Sequence, residues 1–209
     1  MAFPTAWQET ALIQITQFDA STPVTWPVAA MIETLEIDEG EAPGESVATI
    51  AGGRVWKDGP RGDGTITIEF YGIELDAAAS ADSKGLFQQF SGGAIDTTAE
   101  PLETDTSWPS GTSRYKPRYR FTVLWTNDAA ATTADAATAA STDSLRFTAL
   151  SCRMITHTAS FTDGILKFSG TFKFPAMSKD GLVRQCKWDS ADQAALVANV
   201  TYDDEDAYV

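Results

Sequence analysis

His157 is the only histidine among the 209 residues, so the side chain most used for proton transfer near neutral pH and for holding zinc is nearly absent. A histidine-based metal centre is not expected, and His157 is read as structural. No G-x-S-x-G or H-E-x-x-H surrounds a nucleophile or a base. Gly52-Gly53-Arg54 and the glycines from Gly59 to Gly64 lack the Gly-Lys-Ser/Thr ending of a phosphate loop and are read as turns. Arg61-Gly62-Asp63 spells a cell-adhesion tripeptide, but glycines flank it and no export signal precedes it, so it too is read as turn chemistry. Asn199-Val200-Thr201 is a glycosylation triplet, meaningful only in an exported chain. Asp203, Asp204, Glu205 and Asp206 lack the spaced ligands and glycine of a calcium loop. Cys152 and Cys186 are far apart without a C-x-x-C, which signals neither zinc nor redox chemistry. Two buried thiols are expected, and whether they meet is left open. Glu36 and Asp38 share a strand face, as acid–base catalysis would require, yet a wide solvated space is the simpler account. The expectation is no enzyme, with no catalytic residue, no metal and no cofactor.

The totals narrow the class further. A formal charge of −14 opposes tight binding to DNA or RNA, which requires a basic patch that releases counterions. Solubility, adaptation to high salt, and a surface that must not hold nucleic acid all fit that charge. Hydrophobic residues at 43% and aromatics at 11% support a real core, and Thr, Ser and Gly punctuation favours strands over a helical bundle. No run of about 18 apolar residues suggests a membrane span. Met1 to Gln17 lacks the basic start and apolar middle of a signal peptide, so cytoplasmic folding is expected. One domain over residues 1–209 is expected, since all-β domains of this length are commonly single.

The elements that would position any site follow from local pattern. An N-terminal arm, 1–9, precedes a strand from Thr10 to Phe18, where Leu12, Gln14 and Thr16 oppose Ile13 and Ile15. Val28 to Asp38 sets Met31, Leu35 and Ile37 against Thr34, Glu36 and Asp38, with Glu33 out of step. From 39 to 64, glycines and prolines interrupt any regular element, and a long loop is expected. Connections beyond roughly 12–15 residues are usually binding loops or disordered. Apolar Val47, Ile50, Val55 and Trp56 within it imply that it packs on something, such as another subunit.

Thr65 to Leu75 alternates Ile66, Ile68 and Phe70 with Thr65, Thr67 and Glu69. A short helix is predicted next, capped by Ser80 or Asp82, striped by Leu86, Phe87 and Phe90, and ended by Gly92-Gly93. Ala94 to Ser113 reads as an excursion. Tyr115 to Thr126 alternates Tyr119, Phe121 and Val123 with Arg118, Arg120, Thr122 and Leu124. The Ala/Thr-rich stretch 127–142 has no bulky apolar residue and is expected to be an exposed loop or a frayed helical turn. Ser190 to Val200 reads as a capped helix or a final strand, and 202–209 as an acidic mobile tail.

Leu145 to Pro175 shows the clearest pattern. Asp163-Gly164 is a hairpin cue because both residues tolerate positive φ. On the second arm Leu166, Phe168, Phe172 and Phe174 oppose Lys167, Ser169, Thr171 and Lys173. On the first arm the parity slips once near Cys152, where a bulge is predicted.

This order, together with the closing run ITHTASFTDGILKFSGTFKFP, resembles the major tail tube proteins of long-tailed viruses, whose fold is similar to that of type VI secretion tube proteins. Met31 to Asp38, Thr65 to Phe90 and Leu145 to Pro175 carry the resemblance. It implies a mainly β subunit, a β-sandwich or half-barrel with one short packed α-helix and long inter-strand loops, which closes into a larger barrel on oligomerisation. It further implies homohexameric rings stacked into a virion tail tube and assembled in the host cytoplasm. The implied partners are the tail terminator, tape measure and baseplate proteins, with genomic DNA passing but not tightly bound and no membrane contact. The implied lumen face is Thr34, Glu36, Asp38, Thr65, Thr67, Glu69, Lys167, Ser169, Thr171 and Lys173. The implied inter-ring contacts are Val47, Ile50, Arg54, Val55, Trp56, Lys57 and Arg61. The alternative reading is a monomeric β-sandwich binding module, a fibre or baseplate accessory that contacts a cell-surface glycan.

Overall fold

A computed structural model describes residues 11–17, 24–27, 32–71, 118–162 and 164–199. The N-terminal arm, Met31, the predicted helix with Leu86, Phe87 and Phe90, the excursion from Ala94 to Ser113 and the acidic tail lie outside them. The described chain is mainly β, a curled half-barrel sheet. Its strands are β1 (Ala11–Gln17), β2 (Val24–Pro27), β3 (Ile32–Asp38), β4 (Gly44–Ala48), β5 (Arg54–Asp58), β6 (Gly64–Tyr71), β7 (Tyr119–Thr126), β8 (Ser144–Thr162), β9 (Ile165–Phe174) and β10 (Cys186–Ala191).

The expected hairpin is the spine of the fold. Thr162 pairs with Ile165, and Gly164 sits at φ 79°, a conformation glycine adopts without steric cost. The sheet order is β2-β1-β7-β8-β9-β6-β3, and β10 also pairs with β8. β8 spans 19 residues and serves two groups of strands: its first part pairs with β7 and β10, its second with β9. The predicted bulge lies where the service changes. Phe121 opposes Ala149 but Tyr119 opposes Cys152, and Ser151 takes φ 53°. The extra residue moves the core-facing set from Phe147 and Ala149 to Cys152 and Met154, and bulging bends the strand.

Two further bulges lie on β8 and β3, the second at the Glu33 that the alternation left out of step. Ile155 is extra on β8, between Met154 opposite Phe172 and Thr156 opposite Thr171. Glu33 is extra on β3, so Ile32, together with Leu35 and Ile37, packs on the core.

The bend lets the two halves of the sheet share one core. Ile13, Ile15, Phe121, Val123 and Phe147 come from one half, and Ile66, Ile68, Phe70, Phe168, Phe172 and Phe174 from the other. The Phe172 ring meets Tyr119 edge-on at 5.7 Å and Phe121 at 5.9 Å. Burying each such side chain contributes about 1.5–3 kcal/mol.

Three sequence expectations are corrected. Residues 39–64 are not irregular throughout: β4 and β5 pair antiparallel from Gly44 opposite Asp58 to Ala48 opposite Arg54. Glycines bracket short strands here and do not replace them. Residues 127–142 are not simply exposed. Asp128, Ala134 and Thr138 are buried, and the segment covers the outer face of β7 and β8 without forming a helix. Small side chains allow it to lie close to the sheet, where Ala134 packs with Leu124 and Leu196. Ser190 to Val200 is neither helix nor strand as a whole: β10 ends at Ala191, and irregular backbone follows to Asn199.

Polar side chains fasten this outer layer. Arg146 is 1% exposed and donates to the Val197 carbonyl at 2.7 Å and to that of Ala136. Asp135 receives Gln14 at 2.6 Å, Arg120 at 2.7 Å and Asn199 at 3.0 Å. Burial presses the Arg146 pKa down, while Asp135 and Asp189 raise it. β7 is consequently buried on both faces, which explains why its two parities are less distinct in polarity than those of β9.

Candidate functional site

The polar parities of β3, β6, β9 and the second part of β8 form one face. Directly paired residues share a face, and the registers set them in rows. Asp38, Thr65, Lys173 and Arg153 make one row; Glu36, Thr67, Thr171 and Thr156 the next; Thr34, Glu69, Ser169 and Thr158 the third. Lys167 and Ser160 continue it. All ten residues singled out in the sequence therefore stand together, opposite the phenylalanines and isoleucines that enter the core. None of the ten is buried.

Hydroxyl groups dominate the middle of this face. Thr67 and Thr171 approach to 3.4 Å across β6 and β9. Both lysines are compensated: Lys167 lies 2.5 Å from Glu33, and Lys173 lies 3.1 Å from Asp63. The bulge that puts Glu33 out of step allows its carboxylate to reach Lys167 over the polar face. The sequence flagged Glu33 as a parity exception without supplying that reason, and Arg153 was missed because it lies between two bulges, at Ser151 and Ile155, that break the alternation on either side of it.

The β4–β5 hairpin is the second surface. All residues of both strands are exposed. Val47 faces Val55 across the pair, and Ile50 stands exposed at the turn. Trp56, 65% exposed, lays its ring over Gly44, where an added Cβ would come within 2.4 Å of it. Its Nε1 donates to Asp58 at 2.5 Å. Arg54 and Lys57 are exposed on β5, whereas Arg61 is set apart at the base of the hairpin.

Arg61 donates to the Glu39 carbonyl at 3.2 Å and to its carboxylate at 3.3 Å. That carboxylate also accepts from Arg184 and from the Trp188 indole. Glu39 thus ties both ends of the hairpin to the region of β10, a role no local pattern announces. Trp188 stacks on Trp125 at 5.8 Å. Both charged residues of the Arg61-Gly62-Asp63 tripeptide are engaged within the chain.

His157 lies on the apolar side, stacked on Phe168 at 5.5 Å and 9°, and burial lowers its pKa below the ordinary 6.5. Cys152 and Cys186 are buried thiols not joined in a disulfide, and burial pushes the Cys186 pKa up. Among the described residues, no three His, Cys, Asp or Glu side chains are grouped to hold a metal ion.

No protein-family model and no curated protein matches the chain. Among solved structures, a chain of the anti-feeding prophage baseplate, a cryo-EM structure with six-fold symmetry imposed, is similar with a TM-score of 0.51. Identity is 9%, over 92% of this chain and 99% of that one. A weaker likeness, TM-score 0.48 at 9% identity over 90% of this chain and 97% of the other, is to the PVC sheath/tube terminator of an extracellular contractile injection system. At such identity the first likeness shows a shared fold.

Proposed function

We propose that this chain is a structural subunit of a tail tube. Six copies close a ring around a channel lined by the hydroxyl-rich face, and rings stack through the β4–β5 hairpin. One observation carries this reading: the sheet formed by β3, β6 and β9, with β8 beside it as far as Met154, is wet on one side and core-packed on the other, like a barrel wall. Among the described strands, β3 pairs with β6 alone, and β8 from Arg153 to Thr162 pairs with β9 alone. Joining such bounding strands between copies removes the sheet edges that otherwise invite aggregation.

The remaining features agree. A wall of threonine and serine hydroxyls with ion-paired lysines, in a chain of charge −14, gives a phosphate backbone little to hold. DNA would slide through such a channel without sticking. The exposed Val47, Val55, Ile50 and Trp56 supply an apolar docking element that a neighbouring ring would cover. Terminator, tape measure and baseplate proteins are the partners such a tube requires, and the virion tail is its location. No catalytic role is assigned.

Electron microscopy of the purified protein, over a range of concentration and salt, is the test. Rings and tubes with a central channel are expected. Monomeric particles under every condition would overturn the reading.

A further inference from the structure

The proposed channel wall is divided by charge. β3 and β6 carry Glu33, Glu36, Asp38 and Glu69 and no base. β9 carries Lys167 and Lys173 and no acid, and β8 from Arg153 to Thr162 adds Arg153 and no acid. Asp38 and Arg153 stand at opposite ends of a single cross-strand row. One bounding strand is therefore acidic and the other basic on the same face.

Strand direction matters as well. Each of the three pairings, β3 with β6, β6 with β9 and β9 with β8, is antiparallel, so β3 and β8 run in opposite senses. Around a ring, every copy keeps the same sense along the axis. Placing β3 beside the β8 of a neighbour therefore continues the antiparallel alternation without a break.

We propose that this division sets the order of copies around the ring: β3 of one copy seats beside β8 of the next, with Glu36 and Asp38 facing Arg153 of the partner subunit. The inference rests on the ring reading above and specifies its seam. Opposite charges across neighbouring strands attract and like charges repel. A seam of β3 against β3 sets carboxylates against carboxylates, and β8 against β8 sets one Arg153 against another. Both self-complementary seams are disfavoured, which leaves the head-to-tail contact that can close a ring.

Complementary charge reversal tests the seam. One variant combines Glu36→Lys with Asp38→Asn, the asparagine keeping an acceptor for the Gly40 amide that now donates to Asp38 at 2.9 Å. The other is Arg153→Glu. Each should melt like the parent yet fail to form rings alone, while an equimolar mixture should restore rings, because each altered strand then meets its altered counterpart. A neutral variant, Glu36→Gln with Asp38→Asn, should need a several-fold higher concentration to assemble at low salt, with the gap closing at high salt. Rings from each reversed variant alone at the parental concentration would overturn the proposal. So would folded variants that fail even when mixed. A parent that forms no ring is a different result, which removes the tube reading itself.

Discussion

The Glu39 carboxylate accepts a hydrogen bond from the Arg184 guanidinium, joining positions 145 residues apart. Arg61 and the Trp188 indole converge on the same carboxylate, so one acid holds the base of the β4–β5 hairpin against β10. Replacing Glu39 with Ala should cost roughly 1–2 kcal/mol, because the bonds are charge-assisted but Arg184 is partly in solvent. For a chain of this size the melting temperature should fall by about 2–4 °C per kcal/mol. Hydrogen exchange should quicken across residues 44–58, and unchanged exchange there would show that the hairpin does not depend on this anchor.

Arg146 should matter more. Its buried guanidinium joins two irregular segments to the sheet through the carbonyls of Ala136 and Val197. Arg146→Met keeps much of the volume but leaves both acceptors without that donor, at a cost of about 3 kcal/mol. Chemical denaturation measures the loss. Amides bonded between the two segments, those of Thr138 and Leu196, should lose exchange protection before the sheet does.

His157 gives the fold a mild acid sensitivity. Burial lowers its folded pKa below 6.5, so the unfolded chain binds the proton more readily. Its contribution is fully present above pH 6.5 and declines as pH falls from there toward the folded value. In paired pH titrations, the stability difference between His157→Gln and the parent should be constant above pH 7. Below 6.5 it should shift in favour of the variant. A flat difference down to pH 5 would contradict the assignment.

Trp56→Asp separates folding from stacking. The ring is largely exposed and touches Gly44 and Asp58 of its own hairpin, so the subunit should melt within about 1 kcal/mol of the parent. In the proposed tube, stacking should fail, because the new carboxylate would be buried against the next ring. Single rings without tubes are the expected image. Tubes of parental length would show that Trp56 lies outside the ring-to-ring contact.

Alternation by itself determined the β8–β9 hairpin, the bulge near Cys152 and the sides to which β3, β6 and β9 turn their polar residues. Burial on one side of a pleated strand writes a period of two directly into residue types. The ten polar positions were legible for that reason. Only the tertiary structure decided what covers the other face of β7 and β8, since Ala134, Asp128 and Thr138 have no periodicity and are buried through distant partners such as Leu196. It also decided the hairpin inside 39–64, whose short strands are exposed throughout and so carry no burial signal. Glu39, Glu33 and Arg153 acquired their roles in the same way: their partners or cross-strand neighbours are brought beside them by strand register and bulges, which no local window of sequence contains.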